Sequence, residues 1–204
     1  MNTESFENYS KNLIFGFYLS IATLITFPIF WYQTYGLSVP RVEFGNESRL
    51  IISSILVFFV AFFECLVWRY FTVTLKHRSD SLSAVKWVKR FSGITNLFYL
   101  SVIITLLLGY LDFKEYNTIA FTALAITVIV YALRYLVMLI TAIILWFNKK
   151  HIDTNIKSIA ILMIAVALIH LSVVLMPITL IATPMLMASI GLFFRKNVNH
   201  QDRK

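Results

Sequence analysis

The sequence has few of the residues on which many enzymes and small secreted proteins depend. Its 204 residues include one cysteine, Cys65, so no intramolecular disulfide and no multi-cysteine metal site can form. Only 14% of the residues are charged, and no Gly-rich phosphate-binding loop is present. Six glycines occur without a G-x-x-x-G pattern, so we expect helix contacts to rely on Ala, Ser and Thr. These shortages argue against nucleotide-dependent and dithiol redox enzymes.

Apolar residues are abundant. Hydrophobic residues make up 59% of the chain, and the mean hydropathy is +0.77, which is outside the range of soluble domains. Crossing a bilayer takes about 20 apolar residues in a helix. We therefore predict an all-α integral membrane bundle of six transmembrane helices that forms a single domain over residues 1–204. The predicted spans lie at about 13–35, 50–75, 94–111, 118–147, 158–176 and 178–194.

The basic residues predict the orientation of this bundle. Of 18 Lys and Arg residues, thirteen fall in the terminal segments and the two connections on one side of the predicted bundle. Three fall on the other side, and Arg69 and Arg134 lie within spans. The positive-inside rule then places both termini in the cytoplasm, in the plasma (cytoplasmic) membrane. The basic side would face anionic lipids of the inner leaflet, and the net charge of +8 needs no nucleic acid to explain it.

The last apolar run, 158–194, is too long for one crossing and suits two short spans. Pro177 and Pro184 place the predicted turn between them, in the sequence ITLIAT. A re-entrant loop that enters and leaves on the same side fits the same flanking charges.

The connection between the second and third spans predicts a short interfacial amphipathic helix at about 80–92. Its apolar residues fall on one arc, and Lys86, Lys89 and Arg90 fall on the opposite one. We expect Trp87 and its apolar neighbours to enter the acyl boundary while the cations meet lipid phosphate, after which Gly93 lets the chain turn into the third span. A docking helix for a cytoplasmic energising subunit is the alternative.

Two charged residues lie deep within predicted spans. Glu64 is about 16 Å from the inner end of the second span, and Arg134 is about 20 Å from the inner end of the fourth. Both positions are costly for an unpaired charge, so we predict a Glu64–Arg134 ion pair. Thr127 and Tyr131 share a polar stripe with Arg134 on the fourth span. The pair and this stripe are interpreted either as a packing bridge or as part of a substrate or proton path.

His170 is the one histidine within a predicted span and forms a further candidate polar site. We interpret it as hydrogen-bonded packing, with a proton relay or a ligand role as the alternative. No carboxylate near it in sequence completes a metal site, so neither a metal nor a cofactor is predicted. Cys65 points away from Glu64 on the same helix and is interpreted as a small apolar side chain.

Three functions remain open on these grounds. The first is a transport-type permease, or an accessory or substrate-binding membrane subunit without its own nucleotide site. The second is a non-transporting interaction protein, such as an immunity or assembly factor that binds another membrane protein. The third is an intramembrane enzyme, which we do not favour because no catalytic motif occurs in the sequence and no aspartate lies within a span.

Overall fold

The computed structural model describes residues 11–26, 47–78, 81–110, 117–148, 155–172 and 178–201. Within these ranges the regular elements are all helical, as the sequence predicts. They are α1 (Lys11–Thr26), α2 (Glu47–Arg78), α3 (Leu82–Tyr110), α4 (Asn117–Phe147), α5 (Asn155–Leu171) and α6 (Thr179–Gln201).

Three of the helices are long and apolar enough to cross a membrane. The qualifying stretches are Ser54–His77 in α2, Leu82–Leu108 in α3 and Phe121–Phe147 in α4. They contain 24, 27 and 27 residues, which exceeds the length of about 20 that a bilayer core requires. The described apolar parts of α1 and α5 are shorter, at Lys11–Thr26 and Ile156–Leu171.

The structure differs from the sequence prediction at the start of α3. Residues 82–92 are the first three turns of one continuous helix that passes through Gly93 without a break. Ala84, Val88 and Phe91 are fully buried against the other helices. The helix is amphipathic, as the sequence predicts, but its apolar side packs against other helices of the protein. A separate interfacial helix followed by a turn is therefore not observed.

The last apolar run forms two helices, α5 and α6. The predicted turn between Pro177 and Pro184 is not where the chain changes direction, because residues from Thr179 onward are already helical. Pro184 lies inside α6, where it removes a single backbone donor close to the start of the helix. Helix α5 ends at Leu171, and Pro177 lies outside the described residues.

The main core joins residues of all six described helices, and most of them come from α4, α5 and α6. Trp68 and Phe71 of α2 are fully buried, and the Trp68 ring meets Phe91 of α3 edge-on at 4.6 Å between centroids. Phe71 contacts Phe193 of α6 in a similar way at 5.4 Å. A second, smaller cluster joins Val60 and Ala61 of α2 to Tyr99 of α3.

Helix α1 approaches α6 closely through glycine. A Cβ placed on Gly16 would come within 2.8–3.0 Å of the Phe194 ring, and one on Gly191 within 3.3 Å of Ser20. The expectation that helix contacts rely on Ala, Ser and Thr alone was wrong for this pair. The contact depends on single glycines, which a search for G-x-x-x-G does not detect.

Candidate functional site

The structure brings Glu64 of α2 and Arg134 of α4 into a buried ion pair. Arg134 donates from Nη2 to Oε1 of Glu64, and the two residues are only 6% and 3% exposed. Burying two charges costs several kcal/mol per ion, and attraction repays this only with good geometry and further hydrogen bonds. The neighbouring side chains supply those bonds.

Two further donors point at the Glu64 carboxylate. The Tyr99 hydroxyl of α3 donates to Oε2, and the Trp68 indole nitrogen donates to Oε1 across 3.1 Å. Trp68 lies one turn after Glu64 on α2, so the two side chains share a face. The carboxylate thus accepts hydrogen bonds from three helices, which fixes the positions of α2, α3 and α4 relative to one another.

Aromatic rings surround the guanidinium group of Arg134. Its central carbon lies 5.0 Å from the Phe98 ring centroid, 5.4 Å from that of Tyr99 and 5.1 Å from that of Tyr135. Rings at this distance attract a cation through their quadrupole, and the effect is larger in a desolvated site. Arg134 Nη1 also lies 3.4 Å from the Tyr135 hydroxyl. The positive charge is therefore held by Glu64 on one side and by π faces elsewhere.

A small cavity adjoins the pair. It offers about 20 Å³, which is the space of a single water molecule and far below the volume of a ligand pocket, about 300–1,000 Å³. Helices α2 to α6 all contribute to its wall. The lining residues are Glu64, Tyr99, Arg134, Tyr135, Met138, Val166, Thr183, Leu186 and Met187. In this conformation the pair is closed off from any larger substrate.

Tyr131 of α4 and His170 of α5 lie against Tyr135, which lines this cavity. The His170 ring stacks on Tyr135 at 4.0 Å, and its Nδ1 lies 2.8 Å from the carbonyl oxygen of Val166. The Tyr131 hydroxyl donates to the carbonyl of His170 across 3.4 Å. His170 thus connects α5 to the pair through Tyr135. Its use as a proton relay stays a prediction.

Thr127 lies apart from the ion pair. Its hydroxyl is 2.9 Å from the hydroxyl of Thr105 on α3 and also donates to the carbonyl of Ala123. The polar stripe predicted on α4 therefore divides: the part at Thr127 joins α3 to α4, whereas Arg134 pairs with α2.

The basic residues predicted for lipid or partner docking lie on the first turns of α3. Lys86, Lys89 and Arg90 are exposed, and the Arg90 guanidinium lies 4.7 Å from the Trp87 ring centroid. Trp87 is half-buried, and its backbone carbonyl accepts a hydrogen bond from Thr141 of α4. The cations therefore face outward from a helix that is anchored to the bundle.

Cys65 and His170, the candidate nucleophile and metal ligand, lie in different surroundings. The described residues contain no group of three or more His, Cys, Asp or Glu side chains that could hold a metal ion. Cys65 packs against the small α2–α3 cluster, whereas His170 stacks on Tyr135.

Sequence reasoning missed several partners of the pair. Trp68 was detectable because a residue four positions after Glu64 shares its helix face. Tyr99 also carried a signal: Glu64 lies 14 residues before the end of α2 and Tyr99 lies 17 residues after the start of α3. At about 1.5 Å per residue, Glu64 lies roughly 21 Å and Tyr99 roughly 26 Å from the short connection that joins the two helices. The two residues are therefore at similar heights. Thr183 had no comparable signal, because its height depends on where α6 begins.

In the part of the chain that the structure describes, the fold is all-helical with three helices able to cross a membrane, two of which are joined by a buried ion pair. Comparison with protein-family models, curated proteins and solved structures found no match to this chain.

Proposed function

We propose that the chain is a six-helix bundle of the plasma membrane with both termini in the cytoplasm. Three long apolar helices and the uneven distribution of Lys and Arg support this placement. An apolar groove of about 340 Å³ between α4 and α5 also suits contact with acyl chains. Its lining residues are Ile143, Trp146, Phe147, Ile161 and Ile164.

Cysteine labelling tests this topology. In a Cys65→Ala background, single cysteines at positions 46 and 117 should react with an impermeant maleimide added outside the cell. Cysteines at positions 83, 155 and 199 should react only after the cytoplasmic side is opened. Reaction of position 155 from outside would contradict the six-span arrangement.

We further propose a transport-type role, either as a permease or as an accessory or substrate-binding membrane subunit that has no nucleotide site of its own. The observation that carries this proposal is the buried Glu64–Arg134 pair at a point where five helices meet. Well-packed apolar residues often stabilise a bundle as well as a buried ion pair does, so stability alone is a weak reason to retain one. Charges inside a membrane commonly mark substrate or proton paths.

A transport-type role requires the closed site to open. The structure then represents an occluded conformation, and opening must separate helices around the cavity on one side of the membrane. The exposed cations Lys86, Lys89 and Arg90 would bind anionic inner-leaflet lipid or a cytoplasmic energising subunit.

Access of water to the cavity wall tests whether the site opens. Thr183→Cys in the Cys65→Ala background places a thiol at the cavity, and a small charged methanethiosulfonate should label it from one side of the membrane. Ile181→Cys is the matched control, because Ile181 is 63% exposed on the same helix and would face hydrocarbon. A thiol at 183 that reacts only after unfolding in detergent would indicate a permanently closed packing bridge.

A non-transporting interaction protein is the second candidate, supported by a different surface. Phe58, Phe59 and Phe62 form a ridge of exposed rings on α2, with Phe58 and Phe62 stacked at 6.5 Å. Such a ridge suits packing against another membrane protein. Copurification tests this role. A partner protein that is retained by the native chain and lost from Phe58→Ala/Phe62→Ala would favour it. Leu100→Ala, on the exposed face of α3, is the control.

We do not propose an enzyme. Such a role would need Cys65 and His170 to act together, and the two side chains pack in different surroundings.

A further inference from the structure

Two polar atoms beside the ion pair have no hydrogen-bond partner among the described residues. They are Nε of Arg134 and the hydroxyl oxygen of Thr183. Both residues are more than nine-tenths buried, with exposures of 6% and 7%. An unpaired N–H of a charged group is among the costliest groups to leave unsatisfied inside a protein.

The two residues line the same cavity. Its volume of about 20 Å³ exceeds the 10–15 Å³ that one water molecule needs. A buried water also needs two to four polar partners, and five of the lining residues carry polar atoms. These are Glu64, Tyr99, Arg134, Tyr135 and Thr183.

We propose that this cavity binds one ordered water molecule, which accepts a hydrogen bond from Arg134 Nε and forms another with the hydroxyl of Thr183. Arg134 can only donate, so the water must present an oxygen lone pair to it. Thr183 can donate or accept, so it pairs with the water in either orientation. One molecule then satisfies both atoms.

The water also links α6 to the ion pair. Leu186 and Met187 are the other α6 residues in the cavity wall, and both are apolar. Thr183 is therefore a positioning residue that holds α6 to Arg134 through the water. This inference does not depend on a transport role, because the unpaired atoms and the cavity are present whether or not the site ever opens.

Isosteric replacement of two threonines tests the proposal. Thr183→Val keeps the size of the side chain but removes one partner of the water, so the midpoint of thermal unfolding in detergent should fall by about 2–6 °C, the shift expected for one or two lost hydrogen bonds. Thr183→Ser keeps the hydroxyl and should retain most of the wild-type midpoint.

Thr95→Val is the matched control. The Thr95 hydroxyl is also buried without a partner among the described residues, but Thr95 does not line this cavity. Removing an unsatisfied hydroxyl should leave the midpoint unchanged or raise it. Equal shifts for Thr183→Val and Thr95→Val would overturn the proposal.

A direct measurement on the wild-type protein tests the proposal even if the variants fail to fold. A map of the wild-type protein at a resolution that shows ordered water should contain one peak 2.7–3.2 Å from both Arg134 Nε and Thr183 Oγ1. An empty cavity in such a map would overturn the proposal independently of the variants.

Discussion

Replacing Glu64 with leucine should destabilise the bundle more than replacing Arg134 with methionine. Glu64→Leu leaves the guanidinium with three aromatic rings and no anion, and it also removes the acceptor of both Tyr99 and Trp68. Arg134→Met removes one donor, and the carboxylate keeps the other two. The asymmetry follows from the number of groups that each substitution leaves unsatisfied.

The magnitudes follow from that count. Breaking a buried ion pair from one side costs about 3–5 kcal/mol, and each buried donor left without an acceptor adds about 1–3 kcal/mol. We therefore expect Arg134→Met to cost about 3 kcal/mol and Glu64→Leu to cost about 5 kcal/mol or more. For a chain of this length, about 2–4 °C per kcal/mol places both shifts on the order of 10 °C.

The double variant Glu64→Leu/Arg134→Met removes both charges and should recover part of the loss. Recovery stays incomplete because the Tyr99 hydroxyl and the Trp68 indole still lack their acceptor. Adding Tyr99→Phe removes one of these donors and should raise stability again. In the wild type, Tyr99→Phe should lower stability instead, because it deletes a hydrogen bond to the Glu64 carboxylate. The change in stability caused by Tyr99→Phe should therefore have opposite signs in the wild type and in the double variant, which makes it a sensitive test.

The assay is thermal unfolding of purified protein in a mild detergent, monitored by the fraction that remains monodisperse. A double-mutant cycle then gives the coupling free energy between the two positions. Additive losses would refute the reasoning, because they would show that the carboxylate and the guanidinium do not stabilise each other.

Three further predictions follow from the packing and are checked in the same thermal assay. Gly16→Ala should lower the unfolding midpoint, because its Cβ would clash with the Phe194 ring. Gly93→Ala should instead stabilise by about 0.5–1 kcal/mol, because its Cβ would meet nothing within 4 Å in a helix interior. Equal effects of the two substitutions would contradict the close contact of α1 with α6. Val88→Asp should prevent folding of the whole bundle, because Val88 is fully buried; a folded variant that loses only liposome binding would instead support an interfacial helix. Thr105→Val should cost about 1 kcal/mol by leaving the Thr127 hydroxyl without its partner on α3, and a normal midpoint would show that this bond contributes nothing.

The long apolar helices and the pairing of Glu64 with Arg134 were predictable from the sequence for a clear physical reason. Apolar length is tied to helix rise, so the residues at similar depth in two spans could be estimated by counting. This estimate is what selected Glu64 and Arg134 as partners. The same counting could not place Thr183 at the height of the pair, because the turn before α6 was predicted to lie between Pro177 and Pro184. Pro184 in fact lies inside the helix.

The start of α3 could not be resolved by the same reasoning. An amphipathic pattern shows which residues avoid water, but protein and lipid both satisfy that requirement. Val88 and Phe91 would look the same in sequence whether they faced acyl chains or the other helices. Only the packing of α2 against α3 distinguishes the two, and packing depends on contacts between residues far apart in the chain.

The continuity of α3 has a mechanical consequence. The helix is one rod of 29 residues, about 43 Å long, with the exposed cations at one end and Tyr99 further along. About 13 Å separates Arg90 from Tyr99 along the axis, with no flexible joint between them. A displacement of the basic end of the helix would therefore also displace Tyr99, whose hydroxyl donates to the Glu64 carboxylate.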